Sequence, residues 1–280
     1  MGFRSMRLGP DAARYWIAAQ GQPVARPFHL RWLLPAVCGT SLNRWWAVWG
    51  LSWPALGVGT FLLADGGWRG VLAAALVLGL PGVWGPSVVR PIGVDLPAMA
   101  VGVWAAVLAS HGVWWAAVLA AGVAACIKES APVWVALWAW NPILLLGLIP
   151  VAFTALVVKP QLDEVTAQPA LLEVHDHPFR TAFTHRAPMS SPQWPWWRNA
   201  WVLVAPWGVC LAALYRPSWQ TVAVLTVAYL QLLVATDTTR LLHTAAGPAL
   251  AVAAASVIPV EWMLLAGVAH VFWWFKTEAV

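Results

Sequence analysis

Apolar residues in this chain come in long blocks separated by short polar interruptions, and they do not alternate with polar ones. Most blocks run for roughly 16 to 22 residues, enough for a helix rising 1.5 Å per residue to cross about 30 Å of hydrocarbon. The pattern predicts spans near 44–64, 68–87, 94–110, 112–127, 132–158, 200–215, 218–235, 239–258 and 260–275. Buried strands would be far shorter, and a transmembrane barrel would alternate over about ten-residue segments. The fold expected is an all-α, polytopic transmembrane helix bundle of about eight or nine spans, because helices satisfy every backbone amide internally in lipid.

Two blocks carry breaks. The 132–158 block exceeds one crossing and is interrupted by Asn141-Pro142, so a half-helix followed by a full span is expected there. The 68–87 block contains Pro81, Gly82, Gly85 and Pro86, which should bend or end its helix. Ahead of the first span, residues 1–43 hold Arg4, Arg7, Arg14, Arg26 and Arg31 in a segment that contains Pro10, Pro23 and Pro27, with short amphipathic helices expected near 11–20 and 28–40. This segment lacks the apolar core of a cleavable signal. The chain thus divides into a juxtamembrane segment (1–43), a first transmembrane bundle (44–158), an extramembrane loop (159–199) and a second bundle (200–280).

Composition agrees with the pattern. Hydrophobic residues make up 61% of the 280 and charged residues 10%, with a mean hydropathy of +0.70. A soluble domain is about a quarter charged, so this chain has too few charges to coat a soluble globule. The net charge of +5 implies contact with anionic membrane lipids. Nucleic acid is not an expected partner, since no soluble basic domain carries the charge. The three cysteines have no CxxC spacing and read as core residues. Tryptophan occurs 23 times, with pairs such as Trp45-Trp46 and Trp114-Trp115 at block ends, where interfacial anchoring is expected.

Ionisable residues near membrane depth are few, and each is a candidate for function. Asp95, before Leu96-Pro97, suits a helix N-cap, alone or facing a substrate cavity. Lys128-Glu129-Ser130 separates two apolar blocks. Adjacent helix positions face different ways, so Lys128 and Glu129 each require water or a distant partner. Asp237-Thr-Thr-Arg240 starts another block, and Arg240 with His243 forms a small cationic pair suited to a phosphate, or to a lipid headgroup. The loop histidines His175, His177 and His185 match no defined metal motif, and no Walker, dinucleotide-binding or GxSxG signature occurs.

Taken in order, Asp11-Ala-Ala-Arg14-Tyr15, then Pro27-Phe28-His29-Leu30-Arg31, then Val94-Asp95-Leu96-Pro97-Ala98, then Ile127-Lys128-Glu129-Ser130-Ala131-Pro132, then Asp237-Thr-Thr-Arg240-Leu241-Leu242 resemble the motif run of GT-C class membrane glycosyltransferases. These take a sugar from a polyprenyl-phosphate carrier. The resemblance covers much of the chain and implies Asp11 as catalytic base and Asp95 as a second carboxylate positioning acceptor or a divalent metal ion. It also implies Lys128, Arg240 and His243 as ligands of the carrier phosphate, and a multi-pass place in a bacterial-type cell membrane. Members usually carry a transmembrane helix before the acidic loop, so the resemblance implies a chain shortened at its amino end. A non-enzymatic membrane scaffold or complex subunit is the alternative reading, and a transporter the third.

Overall fold

The computed structural model describes residues 10–24, 28–81, 83, 92–158, 204–231 and 238–277, with backbone alone at 10, 238–241 and 271–277. The described chain is all-helical, with no strand among the described residues. The expected loop 159–199 and Asp237 lie outside the described residues, as do the Trp196-Trp197 pair, the side chains of Arg240, Trp273 and Trp274, and residues 82, 84–87, 200–203 and 232–235 of the expected spans.

Two short helices lead in: α1 (Pro10–Ala19) and, after a 3-10 turn at Phe28–Leu30, α2 (Leu33–Cys38). The first starts one residue ahead of the predicted 11–20 stretch, and the second falls inside the predicted 28–40 stretch. Next come α3 (Leu42–Leu63), α4 (Gly67–Leu78), α5 (Asp95–Ser110), α6 (Trp114–Ile127) and α7 (Ala131–Trp138). A 3-10 segment, Pro142–Leu148, runs into α8 (Ile149–Val157). The later part holds a 3-10 segment at Ala205–Leu214, then α9 (Trp219–Leu230), α10 (Thr238–Val257), a 3-10 turn at Val260–Trp262 and α11 (Met263–Thr277).

The expected breaks have visible causes. Helix α4 stops at Leu78, ahead of Pro81. The 132–158 block splits where Trp140 turns to a φ of +51° and the Asn141 side-chain oxygen accepts the Ile143 amide at 3.0 Å, capping the 3-10 turn that starts with Pro142. Of the described helices, α3 alone is long and apolar enough to cross a membrane unaided; the pair Leu242–Val257 and Val260–His270, bent by 118°, qualifies if taken together. Six further apolar helices among the described residues are shorter, at 10–17 residues, counting Pro142–Val157 as one.

Small residues set the packing. Helix α5 lies against α3 and α6 with Ala98, Ala105, Ala106, Ala109, Ala117, Ala121 and Ala124 all buried. A Cβ added at Gly147 would stand 2.9 Å from the Ala121 backbone carbon, so the Pro142–Leu148 segment approaches α6 almost backbone to backbone. The tryptophans divide. Trp68, Trp115 and Trp219 are exposed near helix starts, whereas Trp45, Trp134 and Trp207 are fully buried. Trp134 lies over Gly102, where an added Cβ would stand 3.0 Å from its ring; the Trp45 indole donates to the Gly39 carbonyl at 3.0 Å and that of Trp207 to the Tyr229 hydroxyl at 2.9 Å.

A charged cluster at the mouth of a helical hairpin

Helices α5 and α6 form a hairpin. The turn between them, 111–113, is possible because Gly112 adopts a φ of +74°, open to glycine at no steric cost. With 16 and 14 residues, the two helices have similar lengths of about 24 and 21 Å. The first residue of α5 and the residue following α6 therefore return to the same end. Those residues are Asp95 and Lys128, and their side chains form an ion pair, Lys128 Nζ donating to Asp95 Oδ1. Helix polarity favours both: Asp95 sits at the amino end of α5 and Lys128 at the carboxyl end of α6. The expected N-cap role of Asp95 is corrected here. Val94 occupies the cap, Asp95 is the first helical residue, and its Oδ1 bonds the lysine.

One residue on, Glu129 turns the other way, as adjacency requires, and meets the leading segment. Arg31 donates to it through Nε at 2.8 Å and Nη2 at 2.7 Å, a two-pronged pair across 98 residues of sequence. The third nitrogen, Nη1, donates to the Tyr15 hydroxyl at 2.9 Å. Phe28 lies between two cations: the Arg14 guanidinium carbon is 4.7 Å and that of Arg31 5.4 Å from its ring centroid. The Tyr15 ring meets Phe28 edge-on at 5.3 Å. Arg14 also pairs with Asp11 at 3.4 Å, one turn apart on α1. Beneath these groups Ala12, Tyr15, Val24, Phe28, Leu34, Trp45, Ile92, Val94, Ala98 and Ile127 form a small apolar core that joins the leading segment to the hairpin end.

Electrostatics ties the cluster together. Burial above all raises the Tyr15 phenol, and the fields of Asp95 and Asp11 both add to it against Arg31, so both carboxylates act on one hydroxyl. Burial works against the Arg31 charge, yet Tyr15 and Glu129 more than compensate and hold the guanidinium protonated. Glu129 is likewise opposed by burial, and Arg31 prevails, keeping the carboxyl below its ordinary value of 4.5. In all three pairs the cation is the deeper member. Side-chain exposures are 9% for Arg14 against 29% for Asp11, 12% for Arg31 against 29% for Glu129, and 3% for Lys128 against 15% for Asp95.

Of the five residues singled out by sequence, Asp95 and Lys128 pair directly, and Asp11 pairs with Arg14 on the helix whose Ala12 and Tyr15 share an apolar core with Val94. His243 is elsewhere. It is fully buried in α10, its Nε2 bonds the Pro206 carbonyl at 3.0 Å and its ring meets Trp207 edge-on at 5.0 Å. Arg240 lies in the first turn of α10. Sequence reading passed over Arg14, Tyr15, Arg31 and Glu129 as site residues. The signal was present in the need of Lys128 and Glu129 for separate distant partners, but not the partners' identity.

A divalent cation does not fit this donor set. Among the described residues no group of three His, Cys, Asp or Glu is placed to hold a metal ion. Each cluster carboxylate is already neutralised by a cation more buried than itself, which an incoming metal ion would face as a like charge.

Comparison of the chain with protein-family models, with curated proteins and with solved structures returns no match.

Proposed function

We propose that the chain is a multi-pass integral membrane protein of about eight or nine spans that transfers a sugar from a polyprenyl-phosphate carrier to an acceptor hydroxyl. The membrane part rests on composition and on the outer surface of the helices. Leu51, Trp68, Leu119, Phe153, Leu156 and Leu264 are each more than 60% exposed. So many large apolar side chains turned outward on several helices suit lipid and not water.

The single observation that supports the enzymatic reading is that the Asp11–Arg14, Arg31–Glu129 and Asp95–Lys128 pairs surround one small apolar core, with Tyr15 and Phe28 in it. Glycosyl transfer from a phosphate carrier requires a carboxylate to take the acceptor proton as the hydroxyl attacks the anomeric carbon, and cations to receive the charge left on the phosphate. Asp11, the most exposed carboxylate together with Glu129, is the base in this scheme. Asp95 orients the acceptor. Lys128 and Arg240 take the phosphate. His243, with Nε2 committed to the Pro206 carbonyl, supports the helix that carries Arg240.

The test is transfer from polyprenyl-phosphate sugars by the purified full chain in bilayers, compared with Asp11→Asn and Asp95→Asn. Activity in the parent that falls at least a hundredfold in both variants, with folding intact, is the expected result. A parent chain that turns over no polyprenyl-phosphate sugar, or an Asp11→Asn variant as active as the parent, overturns it. In the first case the scaffold reading takes its place.

A further inference from the structure

Helix α7 leaves the turn that carries Lys128 and Glu129 and runs inward, with Trp134 over Gly102 of α5. Past the break at Trp140-Asn141 the chain heads back. Gly147 lies against Ala121, and the Pro150 ring is 3.9 Å from a Cβ built on Gly122, both in the cluster-side half of α6. Helix α8 then packs on Phe28–Leu30, next to Arg31. The tip of this excursion satisfies its own backbone. The amides of Trp140 and Asn141 donate to the carbonyls of Leu137 and Ala136 at 3.3 and 3.0 Å, and Pro142 has no N–H. The amides of Ile143 and Leu144 donate to the side-chain and backbone oxygens of Asn141 at 3.0 and 3.4 Å. Irregular backbone at membrane depth requires such pairing. No charged residue occurs from 131 to 158, and Trp140, Ile143, Leu145, Leu146 and Ile149 around the tip are exposed.

The remaining helices fix which turns share an end. Gly59 lies against Val103, and Trp45 shares a core with Val94 and Ala98, so α3 runs parallel to α5. The 64–66 turn is therefore at the same end as 111–113, far from the charged cluster. Gly267 lies against Leu72 and His270 against Gly79, so α11 is parallel to α4 and starts at that far end, where α10 finishes. Trp207 bonds Tyr229 late in α9 and meets His243 early in α10, which leaves the start of α9, and the 215–218 turn before it, at the far end too. Of the 16 Lys and Arg, Arg69 and Arg216 fall at the far end, and the rest belong to stretches joined to the cluster end.

We propose that 131–157 is a re-entrant hairpin, in place of a half-helix and a full span, and that the cluster end faces the cytoplasm, as so lopsided a distribution of Lys and Arg dictates. Eight crossings accompany the hairpin: α3, α4, α5, α6, the Ala205–Leu214 segment, α9, α10 and α11. This rests on the membrane reading. Joined to the transferase reading, it has the sugar donor met in the cytoplasmic leaflet.

Single cysteines in the full chain, expressed in a bacterial host and probed with a membrane-impermeant maleimide, test the arrangement against the parent, whose three cysteines are buried. In intact spheroplasts the exposed positions His111→Cys and Glu261→Cys should label. Gln20→Cys and Val158→Cys should show a complete loss of labelling until the cells are opened, and Ile143→Cys until detergent is added. Val157→Cys serves should Val158→Cys not accumulate. Gln20→Cys and Val158→Cys on opposite faces overturn the hairpin, and an exchange of faces by all four overturns the orientation. A chain stripped from the membrane fraction by alkaline carbonate overturns the membrane reading itself. None of these readouts depends on turnover, so they stand or fall apart from the transferase reading.

Discussion

Arg31 grips both oxygens of Glu129, at 2.8 and 2.7 Å, and this charged contact ties the leading segment to the turn after α6 above the apolar core they share. Arg31 is 12% exposed and Glu129 29%, so breaking the pair leaves a largely desolvated guanidinium without its counter-charge. Glu129→Gln is expected to cost about 2–3 kcal/mol, somewhat less than a fully buried pair because the carboxylate is partly wet. Replacing both residues with leucine should cost less than Glu129→Gln alone. Unfolding of the single and double variants in detergent measures both.

The same pair sets an acid limit. Glu129 has a folded pKa below its ordinary 4.5, so it contributes stability above that value and loses it as the pH falls from about 4.5 through the lower folded value. The melting temperature of the parent should drop over that window more steeply than that of Glu129→Gln. Parallel acid profiles of the two would contradict the assignment.

At the alkaline end, Tyr15 should stay silent. Burial, aided by Asp95 and Asp11, raises its phenol above the ordinary 10.0. In the folded chain, tyrosinate absorbance near 295 nm is expected to rise identically in the parent and in Tyr15→Phe until unfolding. A difference between them near pH 10 would mean that the Tyr15 hydroxyl is open to water.

Gly147→Ala should destabilise the chain by about 1–3 kcal/mol, since the new methyl would press on the Ala121 backbone carbon and the Gly122 nitrogen, each 2.9 Å away, and backbone cannot swing aside. Gly50→Ala is the matched control. It lies within α3 with nothing inside 4 Å of the added carbon, so helix propensity should make it neutral or slightly stabilising. Thermal unfolding of the two variants decides the matter.

Much of the helical layout was legible in the sequence because block length and punctuation are local properties. The break at Asn141-Pro142, the early end of α4 before Pro81 and the two short leading helices follow from residues that act on their own neighbourhood. The pairing of Lys128 and Glu129 with different distant partners was legible as a need. That the partners are Asp95 and Arg31 was not, since it depends on the return of one helix beside another. Burial of Trp45, Trp134 and Trp207 was hidden for a similar reason: an indole beside a block end looks the same in sequence whether it faces outward or inward.

The hairpin of α5 and α6 ends on this account as a measuring device. Asp95 and Lys128 meet because 16 residues going out, a glycine turn and 14 residues coming back close the path. Away from Gly102, Gly112 and Ala121, exchange of one small apolar residue for another along the way leaves that closure untouched. One residue added to or taken from either helix interior swings everything beyond it by about 100° and shifts it about 1.5 Å, which parts the two charges. What this stretch of sequence must keep is therefore its length, more than its letters.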